Sequence, residues 1–259
     1  MKFHDAHCHI SDKGFMKDFD LDSSITEWVK LGMEFVIGVS TKYSESLKAV
    51  ELSKKYYEII PGIGVHPWSA KKPITEVLTT KFQALIEENP ILVVGEIGLD
   101  HHFIKKEEYY PYQEEYFRYF LELSEKYNRP VNIHPKGAEK EVAKILTEYK
   151  VPPHNVLIHW YTGPPEILDE FIERDYFFTI NPSILSGSPH ISVLRKAALN
   201  RILTESDGNV KYTINNERII GSPGIIPQVI NKIAEIKEES VDTISSELQT
   251  NLRRYLNLN

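Results

Sequence analysis

The chain of 259 residues has one cysteine, Cys8, three methionines and no apolar run approaching the ~20 residues that cross a bilayer as a helix. A lone thiol excludes an intrachain disulfide framework and agrees with a reducing compartment. Basic residues are outnumbered, with 30 Lys and Arg against 37 Asp and Glu and a formal charge of −7. That balance argues against a protein that coats polyanions non-specifically. It does not exclude a nuclease, because bound divalent cations invert the local electrostatics of a site. The N-terminus enters a strand-like segment without the basic stretch and apolar core of a secretory leader, so a soluble, cytoplasmic protein is expected. There is no Gly/Ser linker, short-period repeat or low-complexity tract, and one domain over residues 1–259 is the simplest organisation.

What the chain does have is a regular alternation of short apolar or β-branched runs with longer segments of helical period, the signature of repeated βα units around a parallel sheet. Strands are expected near residues 2–7, 34–40, 58–65, 91–96, 130–134, 155–159, 176–180 and 201–205. Amphipathic helices are expected over 44–56, 73–88, 112–127, 138–149 and 164–173, with Val77, Leu78, Phe82, Leu85 and Ile86 at helical spacing in the second. Residues 224–258 read as two helices broken near Ser240-Val241-Asp242, with an N-cap region around Asp242, Ser245 and Ser246. Residues 206–223 show no clear period and read as a long loop, which in a compact domain is usually either functional or disordered. Eight strands and this length fit an α/β chain closed into a (β/α)₈ TIM barrel, whose active sites lie at the C-terminal ends of the strands.

Residues able to hold metal ions fall at those ends, one strand after another. They are Asp5-Ala6-His7-Cys8-His9, His66, Glu96, His134, His159 and Asp207. Alternate residues of a strand share a face, so Phe3, Asp5, His7 and His9 are expected to point together, with Cys8 turned toward the helices as a small core hydrophobe. His7 and His9 can then grip one cation, and Asp5 can stand behind them to orient a ligating imidazole. Taken alone, a His-x-His is equally an ordinary polar pair, and His66 before Pro67 is equally a turn residue. Glu96, flanked by Gly95 and Gly98 after the run Ile91-Leu92-Val93-Val94, reads as a carboxylate bridging two metals, or alone as a salt-bridged rim residue. Two successive strands ending in His134 and His159 are hard to explain by packing. Asp207, just past the last strand, suits metal binding and acceptance of a proton from an attacking water.

With these motifs, Gly64-Val65-His66-Pro67, Gly95-Glu96-Ile97-Gly98-Leu99-Asp100, Gln113, His159-Trp160-Tyr161-Thr162-Gly163 and Glu205-Ser206-Asp207, the chain resembles the TatD family of metal-dependent deoxyribonucleases, within the amidohydrolase-like barrels. The resemblance implies one divalent ion held by His7, His9, Glu96 and Asp207, and a second held by Glu96, His134 and His159. It further implies that His66 contacts substrate phosphate. The usual His-x-Arg after the fifth strand is here His134-Pro135-Lys136, and Lys neutralises a phosphate without the bidentate fork of Arg. The common Glu-Thr-Asp is Glu205-Ser206-Asp207, and His101-His102 replace the aromatic that often follows Gly-Leu-Asp.

The expected reaction is hydrolysis of a DNA phosphodiester by water activated between two divalent ions, Zn²⁺, Mg²⁺ or Mn²⁺, with Asp207 taking the proton and His66 and Lys136 neutralising the phosphate. Trp68, Trp160 and Tyr161 are candidates to stack the bases of a single-stranded end, or are simply packed at the rim. Lys105-Lys106 and Arg195-Lys196 fit solvated helix ends better than backbone contacts. Alternatives are a hydrolase of C–N bonds in a lactam, amide or cyclic imide, a hydrolase of a small phosphate ester, and a metal-binding protein without chemistry. The first is disfavoured because no lysine replaces Glu96 to form a carbamylated bridge, the last because the ligand set is complete.

Overall fold

The computed structural model describes residues 1–187 and 190–258. In chain order the elements are β1 (Phe3–Cys8), α1 (Lys13–Asp18), α2 (Leu21–Leu31), β2 (Met33–Gly38), α3 (Tyr43–Lys55), β3 (Ile59–Ile63), α4 (Glu76–Glu88), β4 (Val93–Asp100), α5 (Tyr110–Tyr127) and β5 (Val131–Lys136). They continue with α6 (Glu139–Leu146), β6 (Val156–Ile158), α7 (Pro165–Glu173), β7 (Phe177–Ile180), α8 (His190–Lys196), β8 (Ile202–Thr204), β9 (Lys211–Ile214), β10 (Glu217–Ile220), α9 (Ile226–Lys237) and α10 (Val241–Tyr255). β1 to β8 form one parallel eight-stranded sheet in sequence order. Its ends meet where Thr204 Oγ1 donates to the His4 carbonyl at 2.8 Å and the Asp207 N–H donates to the His7 carbonyl at 2.9 Å. The result is the expected (β/α)₈ barrel.

Two apolar layers hold it together. Inside lie Ala6, Ile37, Val39, Ile60, Val93, Leu157, Phe177 and Leu203, closed off by Leu252 and Tyr255 of α10. Outside, the other faces of the strands, with residues such as Val36, Val131, Ile158 and Phe178, pack against the helices in a larger core. Residues buried on both faces explain why the strands read as continuous apolar runs.

Several expectations change. Phe3 packs in the outer core with Cys8, away from His7, because the β1–β2 register shifts between Phe3 and His4 and again between Asp5 and Cys8. Strict alternation therefore fails in β1. β4 runs to Asp100, so Glu96 lies mid-strand and not at a strand end. Val77 of α4 is 64% exposed and leaves the apolar stripe to Phe82, Leu85 and Ile86. The stretch 206–223 contains the hairpin β9–β10, turned by Asn215 and Asn216 at φ 52° and 66°. Asparagine is among the few residues that enter this left-handed region readily, and two such residues in a row make the tight turn that matches strand twist. α1 and α2, capped by Asp12 and Asp20, were not anticipated.

The cap of α10 is Ser240, whose side chain accepts from the Thr243 N–H at 3.0 Å, and not the Asp242 region. We predict that Ser240→Ala destabilises the protein by about 1 kcal/mol and Asp242→Ala by less. Urea midpoints of the two variants test this, and a larger loss from Asp242→Ala would move the cap.

Candidate metal centre

Glu96 is the focus of the barrel mouth. Gly95 and Gly98 let β4 pass this close to β5: a Cβ on Gly95 would lie 2.7 Å from Asn132 Cβ, and one on Gly98 2.2 Å from the His134 carbonyl oxygen. Glu96 is 1% exposed and its two oxygens face different neighbours. Oε2 lies 3.5 Å from His7 Nε2 and 3.4 Å from His9 Nε2, and Asp207 Oδ1 stands at the same two distances from those nitrogens. Oε1 lies 2.9 Å from His134 Nδ1, 3.3 Å from His66 Nε2 and 3.6 Å from His159 Nε2.

Neighbouring groups settle which ring nitrogen faces inward. Asn132 Nδ2 donates to the Ala6 carbonyl, leaving Oδ1 to accept from His7 Nδ1 at 2.9 Å and Nε2 pointing at the carboxylates. Glu205 Oε2 takes His159 Nδ1 at 2.8 Å, and Asp100 Oδ2 takes His134 Nε2 at 3.0 Å. His66 is set the other way. Its Nδ1 accepts from the Trp68 N–H at 3.1 Å, so the hydrogen sits on Nε2, which makes His66 a donor toward the centre and not a ligand.

The donor set fits divalent cations. His7 Nε2 and Glu96 Oε2 are buried with no hydrogen-bond partner among the described residues, a costly state unless something binds them. Metal bonds of about 2.1 Å separate tetrahedral ligand atoms by roughly 3.4 Å, close to the spacings around Glu96 Oε2 and Asp207 Oδ1. His7, His9 and Asp207 stand close enough to share one metal, and Glu96 and His134 face each other in a second group beside the His66 ring.

The TatD related DNase family model matches residues 4–257. The chain belongs to the TatD family. An uncharacterized metal-dependent hydrolase of Methanocaldococcus jannaschii is 30% identical over 257 residues, covering 98% of this chain and 97% of that protein. Human deoxyribonuclease TATDN3 is 27% identical over 250 residues, covering 93% of this chain and 89% of its own. The crystal structure of the TatD homologue YjjV from Escherichia coli superposes with a TM-score of 0.88 at 23% identity over 99% of this chain and 98% of that one. This is a metal-dependent hydrolase fold carrying groups able to bind metal.

Around the centre of this TatD protein lies a cavity of about 440 Å³ lined by His9, His66, Glu96, His134, His159 and Asp207, with Trp68, Phe103, Lys136 and Trp160 among its walls. The Lys136 ammonium donates to the Thr162 hydroxyl at the cavity wall. Trp160, at φ 39°, stacks on Tyr212 of β9 with centroids 5.9 Å apart. Tyr161 is excluded as a stacking surface: it is 2% exposed, its hydroxyl donates to the Pro164 carbonyl, and its ring packs on Phe171 and Phe178. Asp5 does not reach an imidazole. Its Oδ1 accepts from the His7 N–H at 3.2 Å and the Ser206 N–H at 2.9 Å, tying β1 to the segment that carries Asp207, and burial pushes its carboxyl up to about 7. Lys196 pairs with Asp169 and Lys106 lies over the Tyr109 ring, as solvated charges do. Sequence reading missed Asn132, the holding role of Glu205, Asp100 and Phe103. Alternation offered a signal for Asn132 alone, which stands two residues before His134 within β5.

Charge in this cluster is tightly interlocked. Burial alone would raise Glu96 and Asp207, but the surrounding imidazoles outweigh it, holding Glu96 well below the usual carboxylate range and Asp207 down to about 2. Burial opposes charge on His7 and His134 too. Glu96 and Asp207 nevertheless hold His7 up to about 10, and hydrogen bonds to Asp100 and Glu96 hold His134 up to about 9. Both values exceed the ordinary imidazole value of about 6.5. The stability these protons contribute is therefore complete below pH 6.5 or so and is lost as pH climbs through about 9 and then about 10. A cation must displace them. We predict that the apparent affinity of chelator-treated protein for Mn²⁺ or Zn²⁺ rises from pH 6.5 to about 9, with net proton release on binding. Calorimetry at pH 7 in buffers of different ionisation heat reads that release, and buffer-independent heats would contradict it.

Proposed function

We propose that this protein hydrolyses phosphodiester bonds of DNA using two divalent cations, Zn²⁺, Mg²⁺ or Mn²⁺, with an unpaired or single-stranded end as the substrate. The observation that carries the reading is the division of Glu96: one oxygen belongs to the set of His7, His9 and Asp207, the other to the set of His134 and His159. One carboxylate serving two donor sets is the arrangement of a dinuclear centre. Bound there, the ions would supply Lewis acidity toward a phosphoryl oxygen and lower the pKa of a water.

The chain's own residues do the rest. Asp207 stays ionised in the cavity wall and accepts the proton that water gives up on attacking phosphorus. His66 offers its Nε2–H and Lys136 its ammonium to the phosphate oxygens, which lessens the repulsion between an anionic diester and its nucleophile. Trp68 and Trp160 both line the cavity and offer faces on which bases stack. The name of the human relative, a deoxyribonuclease, supports DNA as the substrate class. A C–N bond hydrolase is the competing reading; Glu96 at the bridge, where such enzymes would use a carbamylated lysine, weighs against it.

Chelator-treated protein should cut 5′- and 3′-labelled single-stranded DNA only after Mg²⁺, Mn²⁺ or Zn²⁺ is restored, and His7→Ala should stay inactive. Asp207→Asn should lower turnover by about 10²-fold or more while leaving the fold intact by circular dichroism. Cleavage of lactams but not of DNA or bis-p-nitrophenyl phosphate by the loaded protein would transfer the assignment to C–N bonds.

A further inference from the structure

Asp100 ends β4 fully buried, and each of its oxygens takes two hydrogen bonds. Oδ2 accepts from the Trp68 indole N–H at 2.6 Å and from His134 Nε2 at 3.0 Å. Oδ1 accepts from the backbone N–H groups of Phe103 at 2.7 Å and His102 at 2.9 Å. Gln113 of α5 clamps the same residue's backbone, accepting from the Asp100 N–H at 2.8 Å and donating to its carbonyl at 3.2 Å. With its lone pairs occupied and its backbone pinned, the carboxylate cannot swing without breaking bonds on both sides.

Those two sides differ in kind. On one is His134, whose Nδ1 faces Glu96. On the other are two large aromatic rings left open at the cavity mouth, Trp68 at 45% and Phe103 at 58% exposure, packed edge to face with centroids 5.6 Å apart. Both line the cavity beside the carboxylates and imidazoles. Exposed adjacent aromatics at the rim of a polar cleft mark a binding surface for a planar apolar group.

We propose that Trp68 and Phe103 form a subsite for one unpaired nucleobase, and that Asp100 is the positioning residue tying this subsite to the cation position at His134; the identity of the ring rests on the nuclease reading above. A base that steadies the indole steadies the Asp100 carboxylate and, through it, the orientation of His134. By linkage the effect is reciprocal: a cation at His134 strengthens binding of the base by the same factor.

The test is calorimetric titration of Mn²⁺ into chelator-treated protein with and without thymidine, which carries a base but no phosphate to touch the cations. Asp100→Asn should weaken one of the cations by about tenfold or more and leave the other unchanged. Thymidine should tighten that same cation in the wild-type protein by about fivefold or more. Trp68→Phe keeps an aromatic face but has no N–H to donate to Asp100, so it should still bind thymidine while losing the tightening. Equal cation affinities in Asp100→Asn and wild type, or equal tightening in Trp68→Phe and wild type, would overturn the tie. If Asp100→Asn fails to fold, Trp68→Phe decides alone. A wild-type protein indifferent to thymidine overturns the base subsite, whereas failure of the nuclease reading shows itself separately, as no cleavage of DNA with the cations bound.

Discussion

The Glu96 carboxylate sits where water scarcely reaches, and an isolated charge there would cost several kcal/mol even after relaxation. The mouth of the barrel is arranged around that cost. Five imidazoles, those of His7, His9, His66, His134 and His159, converge on its two oxygens. Two glycines in β4 give up side chains so that the neighbouring strand can stand close enough to deliver them. Without cations, the same charge keeps protons on His7 and His134, so cation and proton compete for one set of nitrogens. Stability and metal occupancy are thereby coupled at a single residue.

Around the imidazoles stands a ring of groups whose work is orientation. Asn132, Glu205 and Asp100 each take one ring nitrogen of His7, His159 and His134, and so leave the other nitrogen facing inward. Such partners hold a tautomer as well as a rotamer, so their loss is felt in affinity before it is felt in fold. His66 obeys the same logic with the opposite result: a backbone N–H at its Nδ1 makes the inward nitrogen a donor.

The barrel was largely legible in the sequence because β-strands buried on both faces and amphipathic helices leave distinct periods, and all eight expected strands are present. The residues around Glu96 were legible for a related reason: polar groups at the ends of apolar strands have no packing explanation. What escaped depended on three-dimensional detail. The register shifts of β1 turned Phe3 away from His7, a change no alternation rule contains. Tyr161 and Trp160 are neighbours in sequence, yet the Trp160 ring lines the cavity while the Tyr161 ring lies in the core. The Asn215-Asn216 turn was readable as a hairpin signal, but its flanking strands carry exposed Lys211, Thr213, Glu217 and Arg218 and so lack an apolar run. Phe103 lies beyond the end of β4 in a segment without period, and only the fold brings it against Trp68.

Leu252 and Tyr255 of α10 pack against the inward-facing residues of the strands and, among the described residues, fill the barrel's interior with side chains. A long polymer cannot thread through an interior so filled. A substrate that reaches the carboxylates through the cavity would then leave by that same cavity. For a polymeric substrate, traffic through that cavity, governed by the aromatic rings on its walls, becomes part of the turnover cycle and favours short encounters over continuous travel along a strand.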